Sequence, residues 1–417
     1  MYREPESLDW RYDETGNRER IAKLRSAGVE VWGADRVYIG PEVTDGGIEP
    51  GAVLLSALVR GRSTAIGARS RVGTSGMALV VNTQLGRDVE LGAGSYLNAT
   101  LFDRVKVRGC AEIRQGSVLE EEAEAGHGVG MKHTYFTSGV VAGSCINFCD
   151  LLMTGGSSRR DHSEVGSGAV HFNYDPRADK FGSLIGDSRG LLLRRRRIFV
   201  GGNSGIVAPV HIDFGAVVAA GAIVRRNLAA NELFSGQDGI PSPSVFEPDT
   251  YFDLRQKFLA IAQLCGNLHA LVLWHNLVRL PQAKGMERVL CKFAVANLRL
   301  HIAHRARELD KLIAKLEKFA DADSGTKAIR RQHQHIVAAR QRIYDLLARF
   351  RTNVPAPPHG FVAEYMRGRA SMDHCNTIRS LEERNARDAE KWLHSVAKAP
   401  QCELQRLFAH ETKRSRF

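Results

Sequence analysis

One polar stretch of the sequence, residues 171–180, carries several side chains that can bind and orient a small molecule. It reads HFNYDPRADK and places an amide, a phenol, a carboxylate and an ammonium close together, in Asn173, Tyr174, Asp175 and Lys180. Groups of these types hold the hydroxyls of a sugar ring and the oxygens of a phosphate. Taken alone, NYD is a common turn, so its meaning depends on the element that presents it.

A six-residue repeat of branched apolar residues surrounds this stretch. After it, apolar residues follow one another at intervals of six, with small residues between them, at Val200, Ile206, Ile212, Val218 and Val224. A period of six fits neither an amphipathic helix nor an alternating strand and is typical of parallel β-helices. A polar loop that interrupts such a coil is a candidate binding site, because insertions collect on the binding face of repeat proteins.

The repeat and its end divide the chain into three parts. Residues 1–36 are predicted to form an N-terminal lead-in with a short helix, residues 37–245 carry the repeat, and residues 246–417 carry apolar residues at helical spacing. The predicted fold is therefore mainly β, a parallel β-helix followed by an α-helical C-terminal region. Two segments, 145–161 and 188–197, do not fit the repeat and are predicted to be insertions.

Composition and charge restrict the classes of function. The chain has 417 residues, a formal net charge of +12 and seven cysteines, none of them in a CxxC pair. A basic chain attracts polyanions, yet the sequence shows neither a nucleic-acid-binding module nor a basic stripe with interleaved aromatic residues. The cysteine usage favours a reduced, cytoplasmic setting without a metal site. We see no signal peptide and expect no membrane-spanning segment.

Two motifs within residues 25–228 resemble one enzyme family. The segment VRGCAEIRQGSVLEEEAEAGHGVGMK has Arg114 seventeen residues before a Met131–Lys132 pair, and VGSGAVHFNYDPRADK follows it. Both are similar to motifs in the acetyltransferase half of the bifunctional bacterial N-acetylglucosamine-1-phosphate uridyltransferase/glucosamine-1-phosphate acetyltransferase. The resemblance implies a left-handed hexapeptide β-helix, acetyl-coenzyme A as co-substrate, and a homotrimer with its active site between neighbouring coils. The sequence does not resemble the uridyltransferase half, so we do not expect uridylyl transfer.

The resemblance also implies roles for individual residues. The guanidinium of Arg114 and the ammonium of Lys132 match the family's anchors for a sugar phosphate. The residues predicted to bind the acceptor are Arg114, Lys132, Asn147, Asn173, Tyr174 and Lys180. The residues predicted to contact the coenzyme are Ser167, Gly202, Ala220 and Arg225. The four arginines at 194–197 lie in an insertion that the family lacks, and they either replace a coenzyme contact or extend the acceptor pocket.

The catalytic base is where this chain departs from the family. Counted from the phosphate anchors, the family's catalytic histidine falls at Ser144, and the chain has six extra residues before the NYD loop. The motif DHSEVG directly after these extra residues offers His162 as the base, with Asp161 or Glu164 to orient its ring. The alternatives for the base are His133 and His171.

The sequence therefore predicts an acetyltransferase, or a broader acyltransferase, that acts on the amine of a phosphorylated or nucleotide-linked amino sugar. Through the resemblance, this reaction belongs to UDP-N-acetylglucosamine biosynthesis for the cell envelope. One alternative is a non-catalytic sugar-phosphate-binding or assembly protein that retains the coil, which the displaced histidine favours. Another is a sugar-nucleotide enzyme of different chemistry.

Overall fold

The computed structural model describes residues 13–175, 179–236, 251, 254–318, 327–348 and 354–414. Within them, the chain winds into a left-handed parallel β-helix of about eleven coils with three faces, followed by a helical region. The predicted fold class is confirmed. The first face consists of the strands Glu30–Val31, Val53–Leu54, Arg71–Val72, Glu90–Leu91, Lys106–Val107, Glu124–Ala125, Val141–Ala142, Glu164–Val165, Phe199–Val200, Val217–Val218 and Leu233–Phe234.

The other two faces are built in the same way, and two long strands bend across the corner between them. The second face consists of Val37–Ile39, Ala57–Arg60, Ala78–Val81, Gly94–Leu97, Ala111–Ile113, the starts of Gly130–Phe136 and Asn147–Met153, Val170–Phe172, Gly205–Val207 and Ile223–Val224. The third face consists of Ala65–Ile66, Gln84–Leu85, Thr100–Leu101, Val118–Leu119, the ends of the same two long strands, Ser183–Ile185 and His211–Ile212.

The apolar residues of the six-residue repeat form the core inside the coil. Ile113, Met131 and Phe148 are neighbours on successive coils and are completely buried. Because each coil pairs its N–H and C=O groups with the coils on either side, the backbone polar groups are satisfied while one apolar side chain per face points inward. The period of six thus follows from three short strands per coil.

The start of the coil and the first predicted insertion differ from expectation. Glu30–Val31 already pairs with the next rung, so the coil begins before residue 37. Within the predicted insertion 145–161, the strand Asn147–Met153 is a regular part of the coil and pairs along its length with Gly130–Phe136. The polar residue Asp150 interrupts the apolar pattern there because it occupies a corner, in the left-handed conformation with φ of 63°.

Three true departures from the repeat leave the coil between residues 155 and 197. The first is an antiparallel hairpin of Gly156–Ser158 and Asp161–His162. The second is a hairpin of Tyr174–Asp175 and Asp179–Lys180, which contains the NYD motif. The third contains the 3₁₀ helix Ser188–Leu192, so the predicted insertion 188–197 is confirmed.

The helical region contains more helices than the apolar periodicity predicts. The boundary predicted at residue 245 lies outside the described residues. The periodicity predicts four helices, the last over about residues 380–396, and does not reveal the short helices His359–Arg369 and His374–Ser380. The final helix, Glu383–Arg414, continues through Pro400. The helices are α1 (Glu14–Ser26), α2 (Arg255–Leu273, extended by the π-helical turn Trp274–Arg279), α3 (Gly285–Lys318), α4 (Lys327–Ala338), α5 (Arg340–Ala348), α6 (His359–Arg369), α7 (His374–Ser380) and α8 (Glu383–Arg414).

The helical region covers the third face of the coil. Outward side chains of that face, Val118, Tyr135, Leu152 and Leu184, are buried in one apolar cluster with residues of α2, α3 and α6 to α8. Burial of this kind contributes roughly 25 cal/mol per Å² of apolar surface. Among the described residues, the helices that follow the coil therefore leave its first and second faces open along most of its length.

One helical span among the described residues, Arg255–Arg279, is long and apolar enough to cross a bilayer, which the sequence analysis did not anticipate. In the folded protein, 83% of its most apolar window is buried. A core helix passes the same test of length and composition, and α2 lies between the coil and α8.

Candidate functional site

A group of ionisable side chains lies where α3 crosses the corner between the second and third faces. It consists of His133 and Asp150 of the coil and His301, His304 and Arg305 of α3, and we call it the corner cluster. The coil residues are neighbours because their strands pair on both sides of the corner. His133 Nδ1 lies 3.3 Å and Arg305 Nη2 lies 3.1 Å from Asp150 Oδ1.

Burial sets the protonation of the corner cluster. Desolvation lowers the pKa of His133, lowers that of His301 far below the usual value, and lowers that of His304 to about 3. Burial alone would raise the pKa of Asp150, but the charge of Arg305 and the contact with His133 hold that pKa well below the usual value. The cluster therefore contains neutral imidazoles around a carboxylate ion at neutral pH.

The predicted phosphate anchors lie beside the corner cluster on the second face. Lys132 pairs with Cys149 on the next coil. Arg114 lies on the preceding coil and donates its backbone N–H to the carbonyl of Met131. The Nε atom of Arg114 lies 3.6 Å from Glu112, and its side chain is 34% exposed. The two cations thus follow one another up the coil.

Of the predicted acceptor-binding residues in the NYD hairpin, one contacts the corner cluster and two have side chains exposed to solvent. The Asn173 amide donates a 2.8 Å hydrogen bond to Asp150 Oδ2, which ties the hairpin to the corner cluster. The Lys180 carbonyl accepts a hydrogen bond from Arg305, whereas the Lys180 side chain and Tyr174 are exposed. Asn147 is exposed at the beginning of its second-face strand.

The alternative base His171 has both ring nitrogens engaged. Nδ1 lies 2.6 Å from the carbonyl oxygen of Cys149 and Nε2 lies 2.9 Å from the hydroxyl of Ser183. Burial lowers the pKa of His171 to about 4. A neutral ring that donates to the carbonyl and accepts from the hydroxyl satisfies both contacts, so we interpret His171 as a structural residue.

The preferred base, His162, lies in an open cleft at the beginning of the first face, which we call the first-face cleft. The cleft has a volume of about 800 Å³ and is lined by Asp161, His162, Glu164, Arg196, Arg197, Phe199, Gly215 and Val217. His162 Nδ1 lies 2.9 Å from the carbonyl oxygen of Arg159, and Nε2 lies 3.4 Å from a carboxylate oxygen of Glu164. The ring is thus held between a hydrogen-bond acceptor and a carboxylate at the edge of a solvent-filled space.

Sequence counting suggests that His162 takes the place of Ser144. In the structure it does not. Glu164 pairs with Val141 across the first face, so His162 stands at the beginning of a rung. Ser144 lies past the end of the same face, where its N–H donates to the Ser167 hydroxyl. The extra residues form the hairpin before Glu164 and therefore carry His162 to the opposite corner.

The arginine run at 194–197 is divided between two environments. Arg194 donates to the carbonyl of Leu381, and Arg195 forms a two-pronged ion pair with Glu390 at 2.7 and 3.0 Å. Arg196 and Arg197 instead line the first-face cleft. The first pair thus holds helices, and only the second pair is placed to meet a ligand.

The small residues predicted to contact a coenzyme form a column. The Asn203 N–H donates to the Ser167 carbonyl, and the Gly221 N–H donates to the Gly202 carbonyl, so Ser167, Gly202 and Ala220 stand at the same corner on successive coils. The column lies at the end of the first face, opposite to the cleft. Arg225 is exposed after the second-face strand Ile223–Val224 and is not part of the column.

His301, His304 and Arg305 are not among the residues that the sequence predicts for a site. The apolar stripe of α3 predicts a packing surface, although the segment HIAHR places two histidines three residues apart on one side of a helix. That spacing was the available signal. Its meaning depends on His133 and Asp150, which are more than a hundred residues away in the sequence.

No protein-family model matches the chain. Among solved structures, a crystal structure of the polysialic acid O-acetyltransferase OatWY aligns with 45% of this chain and 87% of that chain, at 15% identity and a TM-score of 0.14. A similarity this weak supports neither a shared fold nor a shared reaction.

Proposed function

We propose that the protein is an acyl-coenzyme A-dependent acyltransferase whose base is His162, with the amine of a phosphorylated or nucleotide-linked amino sugar as the acceptor. The observation that carries the proposal is the first-face cleft, in which His162 stands beside Glu164 and two arginines on a parallel β-helix. The family resemblance supports acetyl as the acyl group and a sugar phosphate as the acceptor.

The chemistry assigns a task to each group in the cleft. The acceptor amine attacks the thioester carbonyl, the carbon–sulfur bond breaks, and the amine proton passes to His162 and then to the leaving thiolate. Glu164 stabilises the imidazolium that forms, and the carbonyl of Arg159 holds the ring in place. Arg196 and Arg197 attract the anionic parts of the substrates. The exposed side chains of Phe199 and Val217 give the thioester arm an apolar surface.

Within one copy, the phosphate anchors Arg114 and Lys132 are on a different face from His162. A homotrimer resolves this separation. Because the helical region covers the third face, copies are left to pack through their first and second faces. In such a trimer, the edge of one copy's first face that carries His162 lies against the edge of the neighbouring copy's second face that carries Arg114 and Lys132. Exposed apolar side chains on both faces support such packing: Phe172, Phe199, Val217, Ile223 and Leu233.

The first test is thiol release from acetyl-coenzyme A in the presence of glucosamine 1-phosphate. We expect turnover in the natural protein and a loss of roughly 10²- to 10⁴-fold in His162→Ala. His127→Ala is the matched control, because His127 is an exposed coil histidine outside the cleft, and it should leave turnover unchanged. Equal turnover in His162→Ala and the natural protein would exclude His162 as the base.

The second test asks whether the site is shared between copies. Lys132→Ala and His162→Ala are expected to be inactive separately and to regain activity when the two chains are co-expressed, because some interfaces then contain both intact residues. Co-expressed chains that form mixed oligomers without regaining activity would contradict the shared site.

The second candidate is a binding or assembly protein without catalysis. The observation in its favour is the separation of Arg114 and Lys132 from His162 within one copy. It predicts that sugar phosphate binds equally well to the natural protein and to His162→Ala, with no thiol release from acetyl-coenzyme A. Calorimetry alongside the thiol assay distinguishes the two functions.

A further inference from the structure

We propose that the corner cluster is a binding site for a divalent metal ion of the Zn²⁺ class. The donors are the imidazoles of His133, His301 and His304 and the carboxylate of Asp150. Three neutral imidazoles and one carboxylate form a nitrogen and oxygen donor set that Zn²⁺ accepts in tetrahedral geometry. Within one copy the site is separate from the first-face cleft, and its binding of a metal does not depend on acyl transfer.

Three of the four donors lie close to one another, and the fourth lies close to Asp150. One ligand atom from each of His133, Asp150 and His304 lies within 4.8 Å of the others. His301 Nε2 lies 3.8 Å from Asp150 Oδ1. In a tetrahedral Zn²⁺ site with bonds of about 2.1 Å, ligand atoms are about 3.4 Å apart. The His133 ring lies against those of His301 and His304, with ring centroids 5.3 and 4.3 Å apart, so the imidazoles must rotate to direct one nitrogen each at a common ion.

Unsatisfied buried atoms point to a ligand. His301 is completely buried, and neither of its ring nitrogens forms a hydrogen bond. Asp150 Oδ1 is also buried without a hydrogen bond of good geometry, although three side chains surround it. Buried polar groups in native proteins are nearly always paired, because an unpaired one loses its hydrogen bonds to water without replacement. A metal ion would satisfy one nitrogen of His301 and the oxygen of Asp150 together.

The surrounding groups act as an outer layer for the ion. The Asn173 amide donates to Asp150 Oδ2 and leaves Oδ1 directed at the imidazoles. Outer hydrogen bonds of this kind orient metal ligands. Arg305 contacts Asp150 Oδ1 and the carbonyl of Lys180, so the carboxylate is shared between the ion and the guanidinium. The two histidines of α3 are three residues apart and thus face the coil together.

The consequence of binding is a fixed position for α3 on the coil. The ion joins His133 and Asp150 of the coil to His301 and His304 of α3, directly beside Lys132. Loss of the ion would loosen α3 and the NYD hairpin at the same time, because Asn173 is attached through Asp150.

The test begins with the metal content of the full-length protein, purified without chelators and measured by mass spectrometry. We expect about one equivalent of Zn²⁺ per chain, loss of the ion on dialysis against a chelator, and a lower melting temperature afterwards. Added Co²⁺ should give the strong visible absorption of a tetrahedral site. A folded chain that holds less than a tenth of an equivalent and gives no such absorption with Co²⁺ would overturn the proposal.

Variants locate the ion. His304 is only partly buried and forms no protein hydrogen bond among the described contacts, so His304→Ala should fold. Loss of a hydrogen-bond partner of a metal ligand lowers metal affinity by roughly 10- to 100-fold. We expect the affinity of His304→Ala for Co²⁺ to fall by more than this, because a ligand itself is lost. Asn173→Ala should show that smaller loss.

His211→Ala is the control, because His211 belongs to the second group of possible metal ligands, with Asp187 and Asp213. It should retain the ion. Retention in a folded His304→Ala with loss in His211→Ala would place the metal elsewhere and overturn the proposal.

Discussion

Histidines in this protein divide by environment, and His171 is the example whose chemistry is simplest. Burial lowers its pKa from the usual 6.5 to about 4, and both nitrogens have partners. Between these two pH values the unfolded chain binds a proton that the folded chain excludes. The contribution of this residue to stability is therefore complete above about pH 6.5 and is lost as the pH falls towards 4.

This linkage is testable with His171→Gln. One such histidine changes the free energy of unfolding by up to about 1.4 kcal/mol per pH unit. We expect urea denaturation between about pH 7.5 and about pH 4.5, a range that covers most of the interval between the two pKa values, to show a shallower loss of stability in the variant. Ser183→Ala removes the hydrogen bond to His171 Nε2 but keeps the imidazole. It should retain the dependence of stability on pH that the natural protein shows. Parallel slopes in the natural protein and His171→Gln would show that this residue does not titrate on unfolding.

At the scale of elements, the arginine run connects an insertion of the coil to the helices. Arg195 reaches Glu390 of α8 with both prongs of its guanidinium, and Glu390 is 14% exposed. Arg196, the next residue, instead donates to Asn231 at the end of the coil and lines the first-face cleft. Two adjacent residues of one type therefore have separate tasks, because their side chains leave the backbone in different directions.

Arg195→Ala and Arg196→Ala are a matched pair for this division. We expect Arg195→Ala to destabilise the protein by about 1 to 2 kcal/mol, since it removes a charge-assisted pair and leaves the largely buried Glu390 without that partner. Limited proteolysis should then cleave α8 faster. Arg196→Ala should keep the natural protease resistance and weaken the binding of acyl-coenzyme A. The reverse assignment of the two effects would contradict the division.

At the scale of the whole molecule, the helical region protects an apolar face of the coil. Val118, Leu152 and Leu184 point outward from the third face and are completely or nearly completely buried beneath helices. Leu191, Leu192 and Leu193 join them from the 3₁₀ insertion. An exposed patch of this kind on a soluble chain leads to association.

Truncation after residue 236 therefore has a defined expected outcome. The isolated coil should bind a hydrophobic dye strongly and elute as large aggregates in size-exclusion chromatography, because its third face is uncovered. Replacing Leu152 and Leu184 by Ser in the truncated chain should reduce both effects. A truncated chain that elutes as one defined species without dye binding would show that the third face is stable without the helices.

The sequence by itself determined the parallel coil and the existence of the long helices. Their signals are local: three short strands per coil place an apolar residue at every sixth position, and an amphipathic helix places one every three or four. The sequence also brought His162 and Glu164 together, since they are two residues apart. It did not reveal that Asn147–Met153 continues the coil, because a polar corner residue, Asp150, interrupts the apolar pattern.

Only the tertiary structure decided which surfaces and charges meet. His301, His304 and Arg305 lie on a helix that the sequence shows to be amphipathic, but their contact with His133 and Asp150 depends on how α3 crosses the corner of the coil. The same packing closes the third face, while the winding of the coil places Arg114 and Lys132 on a different face from His162 within one copy. Such contacts join residues far apart in the chain, and they follow from the docking of complete elements and not from any local pattern.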